Sequence, residues 1–173
     1  KTGTLTEGKP RVTLVEPLGE VTGETLLRVA AAVDAHSTHP LARAVVAAAE
    51  ERGVSFRRAE QYLARNGRGA EAVIDGHPYF VGNHRFVHEL GLCTPELEAR
   101  LEEIEAGAQS VIVVGHQPHT ACGGEVLGIL AVGDTLRPGA GVAVEAIRKE
   151  GVRRIILLSG DNQQTATAFA QRA

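Results

Sequence analysis

Apolar residues recur at two different spacings in the first third of the chain. Residues 11–16 (RVTLVE) alternate between polar and apolar side chains and are rich in β-branched types, which predicts a strand. Residues 24–36 and 41–52 carry apolar side chains every three or four positions, which predicts two helices. Pro40 suits the first position of the second helix, with one of the two preceding residues as its N-cap.

The middle of the chain predicts an antiparallel sheet accompanied by helices. Residues 56–82 have the composition of several short strands, which turn sequences at residues 66–67 (Asn-Gly) and 75–76 (Asp-Gly) separate. The segments that follow predict a helix at 85–90, a helix at 95–106 with Thr94 as its N-cap, and a strand at 110–114.

The final third of the chain has a different order of elements. Residues 126–132 (VLGILAV) and 153–158 (RRIILL) are apolar runs typical of buried strands, and a helix predicted at 138–150 separates them. A further helix is predicted from Asn162. Because strands that alternate with helices favour a parallel sheet, we predict a parallel sheet with helical crossovers in this part.

Together these patterns predict an α/β fold organised in two parts. Residues 1–9 and 123–173 would form a partial parallel sheet, and residues 10–122 would form an inserted α+β domain with an antiparallel sheet. The length of 173 residues is enough for one ordinary domain or two small ones.

Composition and charge narrow the classes of protein. The net charge of −3 does not suggest a nucleic-acid surface, so we expect no nucleic-acid partner. No apolar run approaches the roughly 20 residues that span a bilayer. Cys93 and Cys122 lie far apart, which fits a reducing compartment without a disulfide framework. The chain has no Met and opens at Lys1, so we expect it to be a piece excised from a longer protein.

Three short segments carry residue types that suit phosphate binding. Lys1 to Thr6 (KTGTLT) combine glycine with hydroxyls, which suits a tight turn facing a phosphate. Residues 159–162 (SGDN) precede a predicted helix, whose first N–H groups can bind an anion. Residues 133–138 (GDTLRP) bring Asp134 and Arg137 to the end of a strand, where they could form a charge pair. Each segment alone is also explained by an ordinary turn, a capped helix start or an exposed ion pair.

Three further segments lie in the predicted inserted domain. His39 opens the sequence HPLA, and an imidazole can stack on a purine or hydrogen-bond to it. Asp34 ends the preceding helix, so the turn could bring its carboxylate back towards His39. Residues 67–69 (GRG) and 81–83 (VGN) contain glycines, which let a backbone approach a flat base or ribose closely. A helix cap and two turns account for the same residues.

The order and spacing of these six segments resemble the heavy-metal-transporting branch of the P-type ATPases over essentially the whole chain. KTGTLT resembles that family's phosphorylation motif DKTGTLT, whose acceptor Asp would stand before Lys1. SGDN resembles the family's TGDN with Ser159 in place of Thr, and GDTLRP resembles its DxxRP segment. HPLA is specific to the heavy-metal branch. Its context STHPLA looks more like zinc, cadmium and lead exporters than copper exporters.

The resemblance implies an ATP-driven heavy-metal exporter that forms an aspartyl-phosphate and uses ATP and Mg²⁺. The nucleotide pocket would be lined by Asp34, His39, Gly67, Gly69, Gly82 and Asn83. The phosphates would be surrounded by Lys1, Thr2, Thr4, Ser159, Gly160 and Asp161, with Asp134 and Arg137 in the same catalytic group and the Thr2 carbonyl on Mg²⁺. Transmembrane and actuator parts of the same chain would be its partners, at the cytoplasmic face of a membrane. The acceptor Asp and the family's GDGxND segment have no counterpart here, so we expect no ATP turnover by this chain alone.

Other functions stay open at this point. The predicted α/β part also resembles soluble haloacid-dehalogenase-like phosphatases, whose fold the P-type ATPases share, although a phosphatase has no reason to carry an adenine site. A nucleotide-sensing module would not need KTGTLT, and no Walker A sequence indicates a P-loop NTPase. Metal binding is a further alternative, through His116, His119 and Cys122 or through His84 and His88 one helical turn apart.

Overall fold

The fold is built around one sheet of six strands, with helices packed against it. The structure, a computed structural model, describes residues 3–107, 109–118 and 123–158, together with residues 167 and 170. The strands lie in the order β1-β6-β5-β4-β3-β2, and each neighbouring pair is antiparallel. The strands are β1 (Thr6–Pro17), β2 (Glu60–Arg65), β3 (Gly69–Ile74), β4 (His77–Gly82), β5 (Ser110–His116) and β6 (Glu125–Leu136).

Helices cover both faces of this sheet. Within the described ranges they are α1 (Gly23–Asp34), α2 (Pro40–Glu51), α3 (His84–Glu89), α4 (Pro95–Ala106) and α5 (Ala140–Lys149). The first four begin at a side chain that accepts a hydrogen bond from the first turn, and these caps are Thr22, His39, Asn83 and Thr94. The predicted caps of α2 and α4, each followed by a proline, are therefore confirmed.

Two apolar cores lie on opposite faces of the sheet. The first core joins α1 and α2 to the sheet, and the second joins α3 and α4 to it. Val111 and Val113 of β5 belong to the second core, whereas Ile112 and Val114 belong to the first. This division follows from the alternation of side chains along a strand. The central strands are therefore apolar on both sides, and they anchor α1 and α2 on one face and α3 and α4 on the other.

The elements predicted up to residue 116 are confirmed. The predicted strand at 11–16 lies within β1, and the two long predicted helices match α1 and α2. The predicted turns at 66–67 and 75–76 separate β2, β3 and β4.

The parallel strand pair predicted between residues 126–132 and 153–158 is not formed. Residues 126–132 belong to β6, which pairs antiparallel with β1 on one side and with β5 on the other. Both hydrogen-bonding edges of β6 are therefore occupied. The apolar run was correctly identified as a buried strand, but its burial comes from a core on each face of an antiparallel sheet.

The prediction of a buried strand at residues 153–158 is wrong. The segment has no strand hydrogen bonding, and Ile156 and Leu158 are 65% and 79% exposed. An apolar run becomes a buried strand only where it pairs with a neighbouring strand and is covered on both faces, and residues 153–158 pair with none of the described strands. The preceding helix begins at Ala140, after Gly139 in the left-handed conformation, and not at Pro138. The helix predicted from Asn162 lies outside the described residues.

The predicted domain boundaries do not coincide with a break in the sheet. Residue 10 lies inside β1, and β6 pairs along the length of β5 although the two strands were assigned to different parts. The division into residues 10–122 and two flanking segments stays a prediction. None of the helices in the described ranges is long and apolar enough to cross a membrane.

Candidate functional site

A cavity of about 380 Å³ opens between the start of α2, the β2–β3 turn and the start of α3. The residues predicted for the nucleotide pocket all line this cavity, and they are Asp34, His39, Gly67, Gly69, Gly82 and Asn83. They come from four separate segments of the sequence. The fold brings these segments together because α1 and α2 pack on the same face of β3 and β4.

Asp34 supplies a buried carboxyl group to the cavity. It is the last residue of α1, and only 6% of its surface is exposed. Burial raises the pKa of this carboxyl from 3.8 to about 7. Its Oδ2 atom has no hydrogen-bond partner among the described residues. Because a buried polar atom is normally paired, this atom is suited to a hydrogen bond from a ligand.

His39 caps α2, which is one of the two roles that the sequence presented as alternatives. Its Nδ1 accepts a hydrogen bond from the backbone N–H of Leu41 at 3.2 Å, and this bond caps α2. The backbone N–H of His39 donates to Oγ of Ser37 at 3.1 Å. Because Nδ1 acts as an acceptor, the proton of the neutral ring is on Nε2. The cap thus fixes the ring and leaves an N–H donor on its other side.

Gly69 and Gly82 form a bare stretch of backbone in the cavity wall. The two residues are paired across β3 and β4. A Cβ atom on Gly69, whose φ is +149°, would lie 2.0 Å from the carbonyl oxygen of Val81. A Cβ on Gly82 would lie 2.3 Å from Cδ1 of Phe86. Close packing of backbone and ring therefore requires glycine at both positions.

Asn83 fixes the turn that carries Gly67. Its Oδ1 accepts from the backbone N–H of Phe86 at 3.0 Å, and its Nδ2 donates to the carbonyl of Gly67 at 3.0 Å. Its backbone N–H donates to the carbonyl of Arg68 at 2.8 Å. Both polar groups of the side chain are used within the protein. Asn83 therefore holds the cavity wall in position.

Two arginines at the cavity were not predicted as site residues. Arg68 donates from Nε to both carboxylate oxygens of Glu89 at 2.8 Å, and Arg65 contacts Glu71 at 2.6 Å. The hydrogen bonds to Glu89 hold the pKa of Arg68 above its usual range. Arg68 lies inside the GRG segment, so the sequence contained a signal for it. The glutamates that hold the two arginines could be identified only from the fold.

A wider cleft of about 910 Å³ shares Asp34 and Ser37 with the cavity. Its lining includes Lys9, Arg43 and Arg58, so three cationic side chains lie around it. The wall that carries Asp34 therefore separates two open regions, one beside the glycine-rich turn and one beside the first residues of β1.

Asp134 and Arg137 do not form the predicted charge pair; each binds the first residues of the chain instead. Asp134 accepts hydrogen bonds from Oγ1 of Thr6 and, at 3.0 Å, from the backbone N–H of Gly8. Arg137 donates from Nη2 to the carbonyl of Gly3 at 3.0 Å. The pairing of β1 with β6 brings these groups together, and residues near the start of the chain give each charged side chain a neutral hydrogen-bond partner.

The remaining residues predicted around the phosphates are only partly described. Thr4 is exposed in the turn before β1. Lys1, Thr2, Ser159, Gly160 and Asp161 lie outside the described residues, so their roles stay predictions. Thr6 is buried and its hydroxyl donates to Asp134, whereas the Asp134 carboxylate is the kind of oxygen ligand that a hard cation such as Mg²⁺ prefers.

Comparison with known proteins identifies the family. The chain belongs to the haloacid dehalogenase-like hydrolases, whose family model matches residues 1–173. Within that class it is similar to the copper-transporting P-type ATPase of Rhizobium leguminosarum bv. viciae, with 36% identity over 171 residues. The match covers 99% of this chain and 20% of that protein. The resemblance to heavy-metal P-type ATPases is thereby confirmed.

Solved structures show the same similarity. A zinc-transporting PIB-type ATPase matches with a TM-score of 0.83 and 37% identity, over 99% of this chain and 26% of that one. The catalytic domain of the CPx-ATPase CopB-B, for which conformational changes upon nucleotide binding are described, matches with a TM-score of 0.67. That match has 26% identity and covers 99% of this chain and 55% of the other. The chain spans about a fifth of its curated relative and about a quarter of the zinc transporter.

Proposed function

We propose that the cavity beside His39 binds the adenosine part of ATP. We further propose that the chain is the ATP-binding and phosphorylation region of an ATP-driven heavy-metal exporter. The observation that carries this proposal is a cavity lined by six motif residues from four segments, with the buried and unpartnered Asp34 carboxyl in its wall. The relatives transport copper in one case and zinc in another, so the preference for zinc, cadmium or lead stays a prediction.

The polar groups of the cavity complement the edge of adenine. The amino group of adenine is a donor, and the ionised Asp34 Oδ2 is an acceptor that no described residue satisfies. A pKa of about 7 means that both forms of this carboxyl are populated near neutral pH. Hydrogen bonding by the amino group would favour the ionised form. The Nε2–H of His39 offers a donor, and its ring offers a face for stacking.

The glycine-rich wall suits the flat surface of the base or ribose. Gly69 and Gly82 present backbone without side chains, and Asn83 ties the Gly67 turn to the start of α3. A planar ligand can therefore approach the backbone closely without displacing a side chain. Because the wall is held by hydrogen bonds and close packing, little ordering of the protein would oppose binding.

Phosphoryl transfer would take place at the other proposed site, around the first residues of the chain. In the complete exporter the attacking carboxylate would stand one residue before Lys1, and hydrolysis of the aspartyl-phosphate would follow. Mg²⁺, when bound, would neutralise charge on the phosphates. Asp134 and Arg137 hold Thr6, Gly8 and Gly3, and this would position the phosphorylation loop. Closure of the nucleotide-binding part would bring the γ-phosphate to the carboxylate and couple the reaction to transport.

Calorimetric titration of ATP tests this proposal. His39→Asn removes the imidazole but keeps a good N-cap, so α2 should remain stable. We expect the dissociation constant for ATP to rise at least about tenfold, equivalent to about 1.4 kcal/mol. His77→Asn is the matched control, because His77 is exposed at the start of β4 and does not line the cavity, and its affinity should not change.

Two outcomes would contradict the proposal. Equal affinity of the wild type and His39→Asn would remove His39 from the pocket. A folded chain that binds no ATP, ADP or AMP would favour the alternative of a soluble haloacid-dehalogenase-like phosphatase, since the family match by itself accommodates both functions.

A further inference from the structure

A cluster of three metal-ligating side chains lies where α3 meets α4. His84 and His88 are one turn apart on α3, and Cys93 lies in the short connection between the two helices. Ligand atoms of the three side chains all lie within 4.8 Å of one another. We propose that His84, His88 and Cys93 form a binding site for a borderline transition-metal ion, with Zn²⁺ as the best match.

The local fold holds these three residues together. Asn83 caps α3, and the rings of His84 and His88 stack with their centroids 5.0 Å apart and an angle of 28° between them. The backbone N–H of Leu92 donates to the carbonyl of Val87 at 3.1 Å, which turns the chain back after α3. Thr94, the residue after Cys93, then caps α4. Cys93 is therefore fixed between two capped helices.

Packing beneath the cluster makes this arrangement rigid. Phe86 and Val87, which also belong to α3, are buried in the second core together with Leu101 and Ile104 of α4. Cys93 packs against the same core. A ligand set carried by packed helices is more precisely positioned than one carried by a mobile loop.

The surroundings of the histidines match those of metal ligands. The Nε2 atom of His84 is buried and has no hydrogen-bond partner among the described residues. A carboxylate oxygen of Glu105 lies 3.6 Å from the other nitrogen of that ring, and one of Glu98 lies 3.3 Å from Nε2 of His88. Metal-binding histidines commonly direct one ring nitrogen to a carboxylate, which leaves the other nitrogen unprotonated for the ion. The pairing of His84 with Glu105 would leave the unpartnered Nε2 in that role.

The donor set selects the class of ion. Two imidazole nitrogens and one thiolate sulfur suit Zn²⁺ and related ions, whereas Mg²⁺ and Ca²⁺ require oxygen donors. In a tetrahedral zinc site, nitrogen and sulfur ligands lie about 3.3–3.6 Å apart, as follows from metal–ligand distances of about 2.0–2.3 Å. The observed upper limit of 4.8 Å can shorten to this range by small side-chain rotations. Water would supply the fourth ligand.

This site is separate from the proposed ATP chemistry and does not depend on it. His84, His88 and Cys93 do not line the cavity beside His39. It also differs from the alternative ligand set of His116, His119 and Cys122, of which the last two lie outside the described residues. The two ligand sets contain one cysteine each, so a thiolate-specific signal can distinguish them.

Titration of the whole chain with Co²⁺ under reducing conditions, followed by competition with Zn²⁺, tests the inference. The wild type should show thiolate-to-cobalt charge transfer and the intense visible bands of a four-coordinate ion. Cys93→Ser should lose the charge-transfer band, whereas Cys122→Ser should keep it. His84→Gln and His88→Gln should each weaken binding at least about tenfold, because a protein ligand is lost.

Several outcomes would overturn the inference. Loss of the charge-transfer band in Cys122→Ser with retention in Cys93→Ser would assign the metal to the other cysteine. The absence of any thiolate band in the wild type would remove the site altogether. Circular dichroism of each variant shows whether a loss of metal binding is caused by unfolding. ATP titration of the same samples reports on the nucleotide proposal separately.

Discussion

At the scale of single residues, His39 has a defined role in the fold as the cap of α2, and it also lies with Asp34 in the wall of the cavity that we propose binds ATP. The sequence offered capping and ligand binding as competing explanations for His39, and the structure shows that its cap uses Nδ1, while Nε2 has no hydrogen bond to a described residue. The burial of Asp34 could not be predicted from the sequence. It depends on the packing of α1 against the sheet, and spacing along the chain does not reveal that packing.

The raised pKa of Asp34 predicts a specific dependence of stability on pH. The folded value of about 7 lies above the ordinary value of 3.8, so between these values the folded state holds a proton that the unfolded state has lost. The favourable contribution of protonated Asp34 is present below about pH 4 and is lost as the pH rises to about 7. The free energy of unfolding falls by at most about 4 kcal/mol over this range because of Asp34.

Urea unfolding of the wild type and of Asp34→Asn over this pH range checks that dependence. Between about pH 4 and pH 7 the free energy of unfolding of the wild type should fall relative to that of Asp34→Asn. Above about pH 7 the difference between the two proteins should be constant. Taking the difference cancels the titration of the other carboxyls. A difference that stays constant throughout would mean that Asp34 ionises in the folded chain as it does in the unfolded one.

At the scale of elements, local signals predicted most of the helices and turns. The capping residues His39 and Thr94, each followed by proline, determine where α2 and α4 begin whatever surrounds them. The apolar run at 153–158 carried no comparable local signal. Its structure depends on whether another strand lies beside it, and this is a property of the fold and not of the segment.

The paired glycines of β3 and β4 predict a strong effect on stability. Gly69→Ala should lower the free energy of unfolding by at least about 2 kcal/mol, because its Cβ would lie 2.0 Å from the Val81 carbonyl. Gly67→Asn is the control in the neighbouring turn. Gly67 has a φ of +68° and open space at the Cβ position, and asparagine tolerates that conformation, so its cost should stay below about 1 kcal/mol. If chemical denaturation showed that Gly69→Ala and Gly67→Asn lower the free energy of unfolding equally, this explanation of the cavity wall would be contradicted.

At the scale of the whole molecule, the antiparallel pairing of β6 was the feature that the sequence did not reveal. A strand covered on both faces is apolar along its whole length whether its neighbours are parallel or antiparallel. Residues 126–132 satisfied that pattern because β6 lies between two cores. The alternating order of strands and helices in the last third of the chain favoured a parallel sheet. In the structure β6 pairs with β1 on one edge and with β5 on the other, so neither edge is free for a parallel strand.

The exposed position of residues 153–158 predicts that a charged substitution in this apolar segment has little effect on stability. Ile156→Lys should change the free energy of unfolding by less than about 0.5 kcal/mol, because this side chain is 65% exposed. Ile129→Ala, within β6 and fully buried, should cost about 2–5 kcal/mol. If Ile156→Lys were as destabilising as Ile129→Ala, residues 153–158 would belong to a core of the folded chain.

The central claim, that ATP binds in the cavity beside His39, is tested most directly by amide chemical shifts of the ¹⁵N-labelled chain during titration with ATP. Glycine amides mark both candidate regions, with Gly67, Gly69 and Gly82 in the cavity wall and Gly3 and Gly8 near Asp134. Binding of the adenosine part in the cavity predicts that adenosine alone shifts the first group and leaves the second unchanged. Shifts confined to Gly3 and Gly8, or spread without preference over the sheet, would contradict the claim.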